Sequence, residues 1–443
     1  MAQNWNDKNG DFHPASAMDF LPVEELRRIQ SQRLVALVKH AYDNVPLHRK
    51  RMDELGVKPE DIKSIDDIVK LPFTQKTDLR DTYPYGMFAV PMGEIVRLHA
   101  SSGTTGKPIV VGYTEEDMEV WNASVMRCLL MFGVRRGDFI QNSFGYGLFT
   151  GGLGLHGGAE KLGCTVIPAS GGNTERQLMI MRDFGATVVS CTPSYFVHVI
   201  EESHKYGIDM KKLPLRIGVF GAEPWSEKMR RFVQDNTNME AFDIYGLSEI
   251  AGPGVGGECP EHNGIHILED NFYPEILDPE TGKPLPDGEV GELVITTLAK
   301  RAMPILRYRT HDLTSIIAEK CPCGRTVRRI RRIERRSDDM FIIRGVNVFP
   351  SQIEAALMRV EESTPHYRIL LERKKDLDTV TVEVEVSEST FSDGVSQLEN
   401  VRKRIQASIM NIVGIRIEVR IVEPHKIARS EGKVKRVFDY RNI

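Results

Sequence analysis

"RIGVFGAEPW", residues 216–225, opens with a short β-branched and aromatic run that stops at Gly221, and an acid, Glu223, stands two residues on. Three other runs have the same character: "TVIPAS" (165–170), "ATVVSC" (186–191) and "AFDIYG" (241–246), and each follows a helix-like stretch. That alternation, from about residue 115 to 250, predicts parallel strands joined by crossover helices. Such sheets bind ligands outside the carboxyl ends of their strands. "GAE" (221–223) and "YGLSE" (245–249) sit where two of these strands end.

Outward from this centre, residues 20–58 carry apolar positions spaced for one buried helix face. Residues 71–91 are broken by prolines and aromatics. Between 270 and 320 the pattern changes to strands and turns, as in "DPETGKPLPDGEVGELVITTL". After about 337 a small α+β unit begins, with a helix at "SQIEAALMRV", a strand at "DTVTVEVEVS" and an amphipathic helix at "VSQLENVRKRIQASIMNI". The expectation is an α/β protein. Its large N-terminal domain, 1–336, holds mostly parallel sheets with crossover helices and a β-rich part. A small C-terminal α+β domain covers 337–443.

The totals narrow the class. With 443 residues, two domains are the natural division. An apolar fraction of 41% and a charged fraction of 27% are those of a soluble globular chain. A net charge of −4 argues against a general nucleic-acid binder. The polar start "MAQNWNDKNGDFHP" lacks the apolar core of a secretory signal, and no apolar run approaches the roughly 20 residues needed to span a bilayer. Six cysteines are too sparse for a disulfide scaffold, so a cytoplasmic location is expected. "RRIRRIERR" (328–336) has the charge of a nucleic-acid patch, but it lies just before the domain boundary and no aromatics interleave its arginines; it reads as a solvated strand edge with one functional arginine.

"HASSGTTGKPIVVGY" (99–113) is the densest cluster of hydroxyls and glycines. Backbone amides freed by glycine, hydroxyl donors and a lysine suit a phosphate. The Walker pattern G-x-x-x-x-G-K-[ST] does not fit, because two residues separate Gly103 from Gly106 and Pro108 follows Lys107. A phosphate loop of another design and a plain surface turn both remain.

Further motifs decide between them: "GAEPW" (221–225), "DIYGLSE" (243–249), "RYRTHD" (307–312), "RRSDDMFIIRGVNVFPSQIE" (335–354) and "RSEGKVKR" (429–436). In this order, behind the glycine loop, they resemble the adenylate-forming superfamily of acyl-CoA synthetases, and within it the phenylacetate–CoA ligase family. The resemblance runs from "NVPLHRKRM" (44–52) to "EGKVKR". It implies an ATP- and Mg²⁺-dependent ligase with CoA as co-substrate, and a homodimer. By the same resemblance Ser101, Ser102, Gly103, Thr104, Thr105, Gly106 and Lys107 handle the β- and γ-phosphates. Gly221, Ala222 and Glu223 line the adenine site, Tyr245 offers an aromatic face beside Gly246, and Ser248 follows in the same turn. Glu249 helps hold Mg²⁺, Asp312 accepts the ribose hydroxyls, Arg336 approaches the nucleotide, Asp338 is the pivot of the small domain, and Lys433 is the mobile catalytic lysine. Taken singly, Glu249 reads equally as a first-turn helix acid, Asp312 as a turn cap and Lys433 as a solvated charge. Two departures are Arg335 and His311, at positions where the superfamily commonly has glycine.

The chemistry agrees with that reading. Joining a carboxylate to the α-phosphate of ATP brings two anions together, so cations and donors are required rather than a nucleophilic side chain. Lys107, Arg336, Lys433 and a metal-binding acid supply them, and the sequence offers no convincing Ser-His-Asp set. "SFGYGLFTGGLGLHGG" (143–158) reads as a glycine-rich loop whose Tyr146 and Phe149 form a floor for a flat ring or simply pack against the core; the resemblance implies that it borders the acyl pocket, with Gly221 and Tyr245 beside it. Phenylacetate is the expected acid, with other aromatic or small branched acids, a carrier-protein acceptor, or a non-catalytic nucleotide-binding scaffold as alternatives. Finally, Cys259 in "GECPEHNGIHILED" and Cys321 and Cys323 in "CPCG" could close a structural Zn²⁺ site with a histidine, His266 in preference to His262.

Overall fold

The computed structural model of the protein describes residues 13–101, 108–333, 335–337, 341–343, 346–374, 377–392, 395–428 and 434–441. It divides into two compact units.

The first unit comprises Met1–Cys191, Ile208–Ala222 and Thr237–Arg332. Its centre is a nine-stranded sheet. Phe139–Asn142 pairs in parallel with Thr165–Ile167 on one side and Val188–Cys191 on the other, and Ile217–Gly221 and Glu240–Tyr245 continue the parallel run. These strands are apolar on both faces, as a doubly covered sheet requires: Val188, Val189, Val219, Phe220, Ala241 and Phe242 are all buried. The sheet then turns antiparallel through Gly256–Glu258, Ile265–Ile267, Arg329–Ile330 and Ile316–Ile317. A second, antiparallel sheet contains Phe272–Leu277, Gly291–Thr297 and Tyr308–Thr314. A hairpin of Arg97–Ala100 and Val110–Tyr113 flanks the glycine loop. The helices Val23–Asn44 and Pro46–Glu54 bury Leu34, Leu37, Val38 and Met52 against Leu298 and Leu306.

The segment 150–158 departs from its expectation as a glycine-rich loop. Thr150–Leu162 is an α-helix. Its glycines are there for close approach: a Cβ at Gly154 would collide with Trp121, and one at Gly158 with Val125, both on the helix Glu115–Met131. That neighbour begins with a capping box, in which Asp117 N–H donates to Thr114 Oγ1 (3.1 Å) and Thr114 N–H donates back to Asp117 Oδ2 (3.0 Å).

The expectation of solvated arginines at 328–336 is also corrected. Arg329–Ile330 is not an edge but lies between two strands. Arg329 is buried and donates to the carbonyls of Asn263 (2.7 Å) and Glu319 (2.5 Å). Arg328 pairs with Glu269 at 2.7 Å, and Arg332 lies within 3.6 Å of both Asp243 and Glu258. Buried charge must be paired, so these guanidiniums serve the interior.

The second unit comprises Thr192–Gly207, Glu223–Asn236 and Ile333–Ile443. Its sheet runs in the order Glu418–Val422, Leu377–Val386, Ser363–Lys374, Val437–Asp439, with the central pair antiparallel and the outer pairs parallel. The helices Pro350–Leu357 and Val395–Val413 place Ile353, Leu357, Ile405 and Ile409 in a core with Tyr367, Ile369, Val382 and Val384. The strand Ser363–Lys374 is an addition to the sequence reading. Its first four residues, "STPH", show no strand pattern, and its buried Tyr367, Ile369 and Leu371 emerge only beyond them.

Candidate active site

In the first unit the parallel strands deliver their carboxyl ends to one place. Gly221 closes the strand Ile217–Gly221, and a Cβ there would strike the carbonyl of Ile244, so only glycine lets the next strand pass. Ala222 follows with φ 69°, a left-handed conformation that costs an alanine about 1 kcal/mol or more. Beyond the strand Glu240–Tyr245, the carbonyl of Leu247 accepts from the amides of Ile250, Ala251 and Gly252, which winds 246–252 into a compact turn. Gly246 lies against Gly252 at the base of that turn, where an added Cβ would be 2.5 Å from Gly252 Cα. Ser248 Oγ meets Thr150 Oγ1 at 3.1 Å, fixing the turn to the first residue of the glycine-rich helix.

Glu249 is buried, and among the described residues no donor hydrogen-bonds its carboxylate. A buried carboxylate left without donors is suited to a cation, so the residue fits the role of a Mg²⁺ ligand. The main-chain oxygen of Glu249 is held instead, by Lys300 Nζ at 3.0 Å. Burial pushes the Lys300 ammonium down to about 8, against the opposing pull of Asp117 and Glu249. Asp312, on Tyr308–Thr314, is buried and accepts a 2.6 Å hydrogen bond from Tyr245 Oη. Two residues expected at one nucleoside site are thus in direct contact. His311, at the position where glycine is common, has φ 64° and donates its amide to Glu292 Oε1 at 3.1 Å. The left-handed backbone explains why glycine would be easy there.

Ser101 clasps the base of the glycine loop: its Oγ accepts from Ile109 N–H (3.0 Å), and its own N–H donates to Ile109 O (2.9 Å). Ser102, Gly103, Thr104, Thr105, Gly106 and Lys107 lie outside the described residues, as do Asp338 and Lys433. Tyr146 is half-buried, with its hydroxyl accepting from Asn142 Nδ2 (2.8 Å) and meeting His156 Nδ1 at 3.0 Å, while Phe149 is half exposed at the head of its helix.

Glu223 and Arg336 belong to the second unit. Glu223 Oε1 accepts from Ser194 N–H (2.8 Å) at the start of the helix Pro193–Ser203, and Oε2 from Val434 N–H (3.3 Å). Desolvation raises its carboxyl above the ordinary range, and the Ser194 hydrogen bond pulls it back. Arg336 lies on the short strand Arg335–Arg336.

The cysteine cluster is compact. One ligand atom from each of Cys259, His266, Cys321 and Cys323 lies within 4.8 Å of the others. The Cys259 and Cys321 sulfurs are 3.5 Å apart, and Cys323 Sγ is 3.5 Å from His266 Nε2. A tetrahedron with bonds of about 2.3 Å has edges near 3.8 Å, so the four atoms match a zinc sphere. His266 Nδ1 faces the Val327 carbonyl at 3.2 Å, which orients the ring and leaves Nε2 to the thiols, as in a metal-binding imidazole. Hydrogen bonds from Cys259 and Cys321, with His266 alongside, hold the Cys323 thiol well below its usual value. His262 is elsewhere, stacked on Phe242 and 3.7 Å from Glu258.

The fold is that of the adenylate-forming ligases. A 2-hydroxyisobutyryl-CoA ligase in the postadenylation state, in complex with 2-HIB-AMP, matches with a TM-score of 0.91 and 28% sequence identity, over 99% of this chain and 96% of the other. The sequence pattern of the AMP-binding enzymes matches residues 24–299, and that of the AMP-binding enzyme C-terminal domain matches 345–441. A phenylacetate-coenzyme A ligase of Thermus thermophilus is 50% identical over 438 residues, 96% of this chain and 98% of its own. One from Escherichia coli is 51% identical over 423 residues, 95% and 96%. The chain belongs to the phenylacetate–coenzyme A ligase family. Among the described residues no helix is long and apolar enough to cross a membrane.

Proposed function

We propose that this protein joins phenylacetate to CoA at the expense of ATP, through a bound phenylacetyl-adenylate, with release of diphosphate and then AMP. The observation that carries the reading is half identity to phenylacetate-coenzyme A ligases along nearly the whole chain. The contact of Tyr245 with Asp312, beside a donor-free Glu249, supports it.

In this reading the segment Ser101–Lys107 receives the β- and γ-phosphates, and Asp312, oriented by Tyr245, accepts the ribose hydroxyls. Gly221 and Ala222 leave room for the adenine, and Glu223 borders it. Glu249 would hold Mg²⁺, which supplies charge neutralisation for the triphosphate. Arg336 and Lys433 add the cations that an anionic transition state needs. Tyr146 and Phe149 border the acyl group. The organisation proposed is a domain of 1–336 and a mobile domain of 337–443 pivoting at Asp338, so that one site serves adenylation and then thioester formation. Cys259, His266, Cys321 and Cys323 hold a structural Zn²⁺. A cytoplasmic homodimer is the proposed working form.

The test is diphosphate release with CoA present, measured against arylacetates, benzoates, indoleacetate and short branched acids, with the thioester identified directly. Phenylacetate is expected to give the highest kcat/KM. A preference for another acid overturns the substrate, and failure to exchange labelled diphosphate into ATP with every acid overturns the reaction.

A further inference from the structure

Lys300 is a buried ammonium that the proposed mechanism does not use. It is 5% exposed, and among the described residues no carboxylate approaches it within ion-pair distance. Burying a cation without a paired anion is costly, so its retention calls for a local reason. Its contacts supply one. Nζ donates to the main-chain oxygen of Glu249 at 3.0 Å and stands 4.9 Å above the centroid of the Tyr113 ring. Tyr113 ends the strand Val110–Tyr113, whose partner Arg97–Ala100 leads into the glycine loop. Its ring stacks on Trp121 at 4.6 Å, and Trp121 Nε1 donates to Pro253 O at 2.8 Å, on the far side of the Glu249 turn. The segment carrying Lys300 is itself fixed, because Asp117 accepts from the amides of Arg301 (2.6 Å) and Ala302 (2.8 Å). One side chain therefore ties the strand that leaves the phosphate loop to the turn that presents the metal-binding acid.

We propose that Lys300 is a positioning residue for adenylate formation, holding the Glu249 main chain so that its carboxylate meets the metal-bound triphosphate beside the glycine loop. The inference rests on the reading of Glu249 given above. It predicts a defect confined to the nucleotide half of the reaction. Binding of ATP to the whole protein is followed by calorimetry across a Mg²⁺ titration, and KM and kcat are measured separately for ATP, phenylacetate and CoA. Lys300→Met keeps the length and removes donor and charge. It is expected to raise the Mg²⁺ concentration for half-maximal ATP binding, and to lower adenylate formation, each by about ten- to a hundredfold, the effect of losing a charge-assisted hydrogen bond. Conversion of supplied phenylacetyl-adenylate to thioester should stay within about twofold. Lys300→Gln, whose amide can still donate to the Glu249 carbonyl, should recover part of the Mg²⁺ dependence.

Unchanged Mg²⁺ dependence in both variants overturns the proposal, as does an equal loss in both half-reactions. A variant that melts lower yet binds Mg²⁺–ATP like the wild type shows a purely structural lysine, and also overturns it. Wild-type protein that exchanges no labelled diphosphate defeats the functional reading instead, so the two failures are distinguishable.

Discussion

His48 shows what burial does to one side chain. It is 2% exposed, and its Nε2 donates to the Pro304 carbonyl at 3.1 Å. Desolvation pushes its pKa down to about 4 from an ordinary 6.5. Between these values the unfolded chain binds the extra proton and the folded chain does not, so stability rises with pH across the window and is lost as pH falls through it. The full difference is about 3 kcal/mol. Thermal unfolding of the wild type should therefore shift downward from pH 6.5 towards pH 4, and His48→Gln should flatten that dependence. A variant with the same pH slope as the wild type would refute the assignment. Such a shift is invisible in "NVPLHRKRM"; burial beneath distant segments creates it, and the hydrogen bond to the Pro304 carbonyl, 256 residues away, only partly offsets it. The proposed nucleoside pair is a contrast. Tyr245 and Asp312 are both recognisable from their motifs, while their mutual hydrogen bond is not.

At the level of elements, the helix pair Glu115–Met131 and Thr150–Leu162 sets where Ser248 is held. The close approach depends on glycine at 154 and 158. Gly158→Val should cost about 1–3 kcal/mol of stability through overpacking against Val125, although valine is a better helix former than glycine. Denaturant unfolding measures it, and a stability gain would show that the helices are free to separate. The parallel strands are legible because strands buried on both faces are written as short β-branched and aromatic runs. The helix at 150–162 is not, since glycine content points to a loop whenever the partner that demands glycine is unknown. Arg328, Arg329 and Arg332 mislead for the same reason: charge in sequence looks solvated until Glu269, Asp243 and Glu258, and for Arg329 the carbonyls of Asn263 and Glu319, are folded against it.

For the whole molecule, the cysteine cluster joins separate pieces of the sheet. Cys259 follows the strand Gly256–Glu258, His266 is within Ile265–Ile267, and Cys321 and Cys323 lie between Ile316–Ile317 and Arg329–Ile330. Glu258, beside Cys259, accepts from the amide of Asp243 at 2.9 Å, on the strand that ends at Tyr245. Zinc binding should thus stabilise the sheet from which Tyr245 projects. Purified protein is expected to carry about one zinc per chain by elemental analysis, and chelation should lower the melting temperature by several degrees. Cys321→Ser with Cys323→Ser should abolish both the metal and the chelator effect. Metal-free protein with an unchanged melting curve would remove the site from the account.

The amino-acid order by itself determined the fold class, the parallel strands with the glycines at two of their carboxyl ends, and the identity of the motif residues. These depend on local periodicity, on glycine where the chain turns, and on residue types that the chemistry requires. Tertiary structure alone decided which of two histidines faces the three thiols, that a glycine-rich run is a helix, and that a lone lysine supports the turn of Glu249. Those outcomes depend on which distant groups are brought within a few ångströms, where desolvation and hydrogen-bond geometry, not spacing along the chain, set the energy.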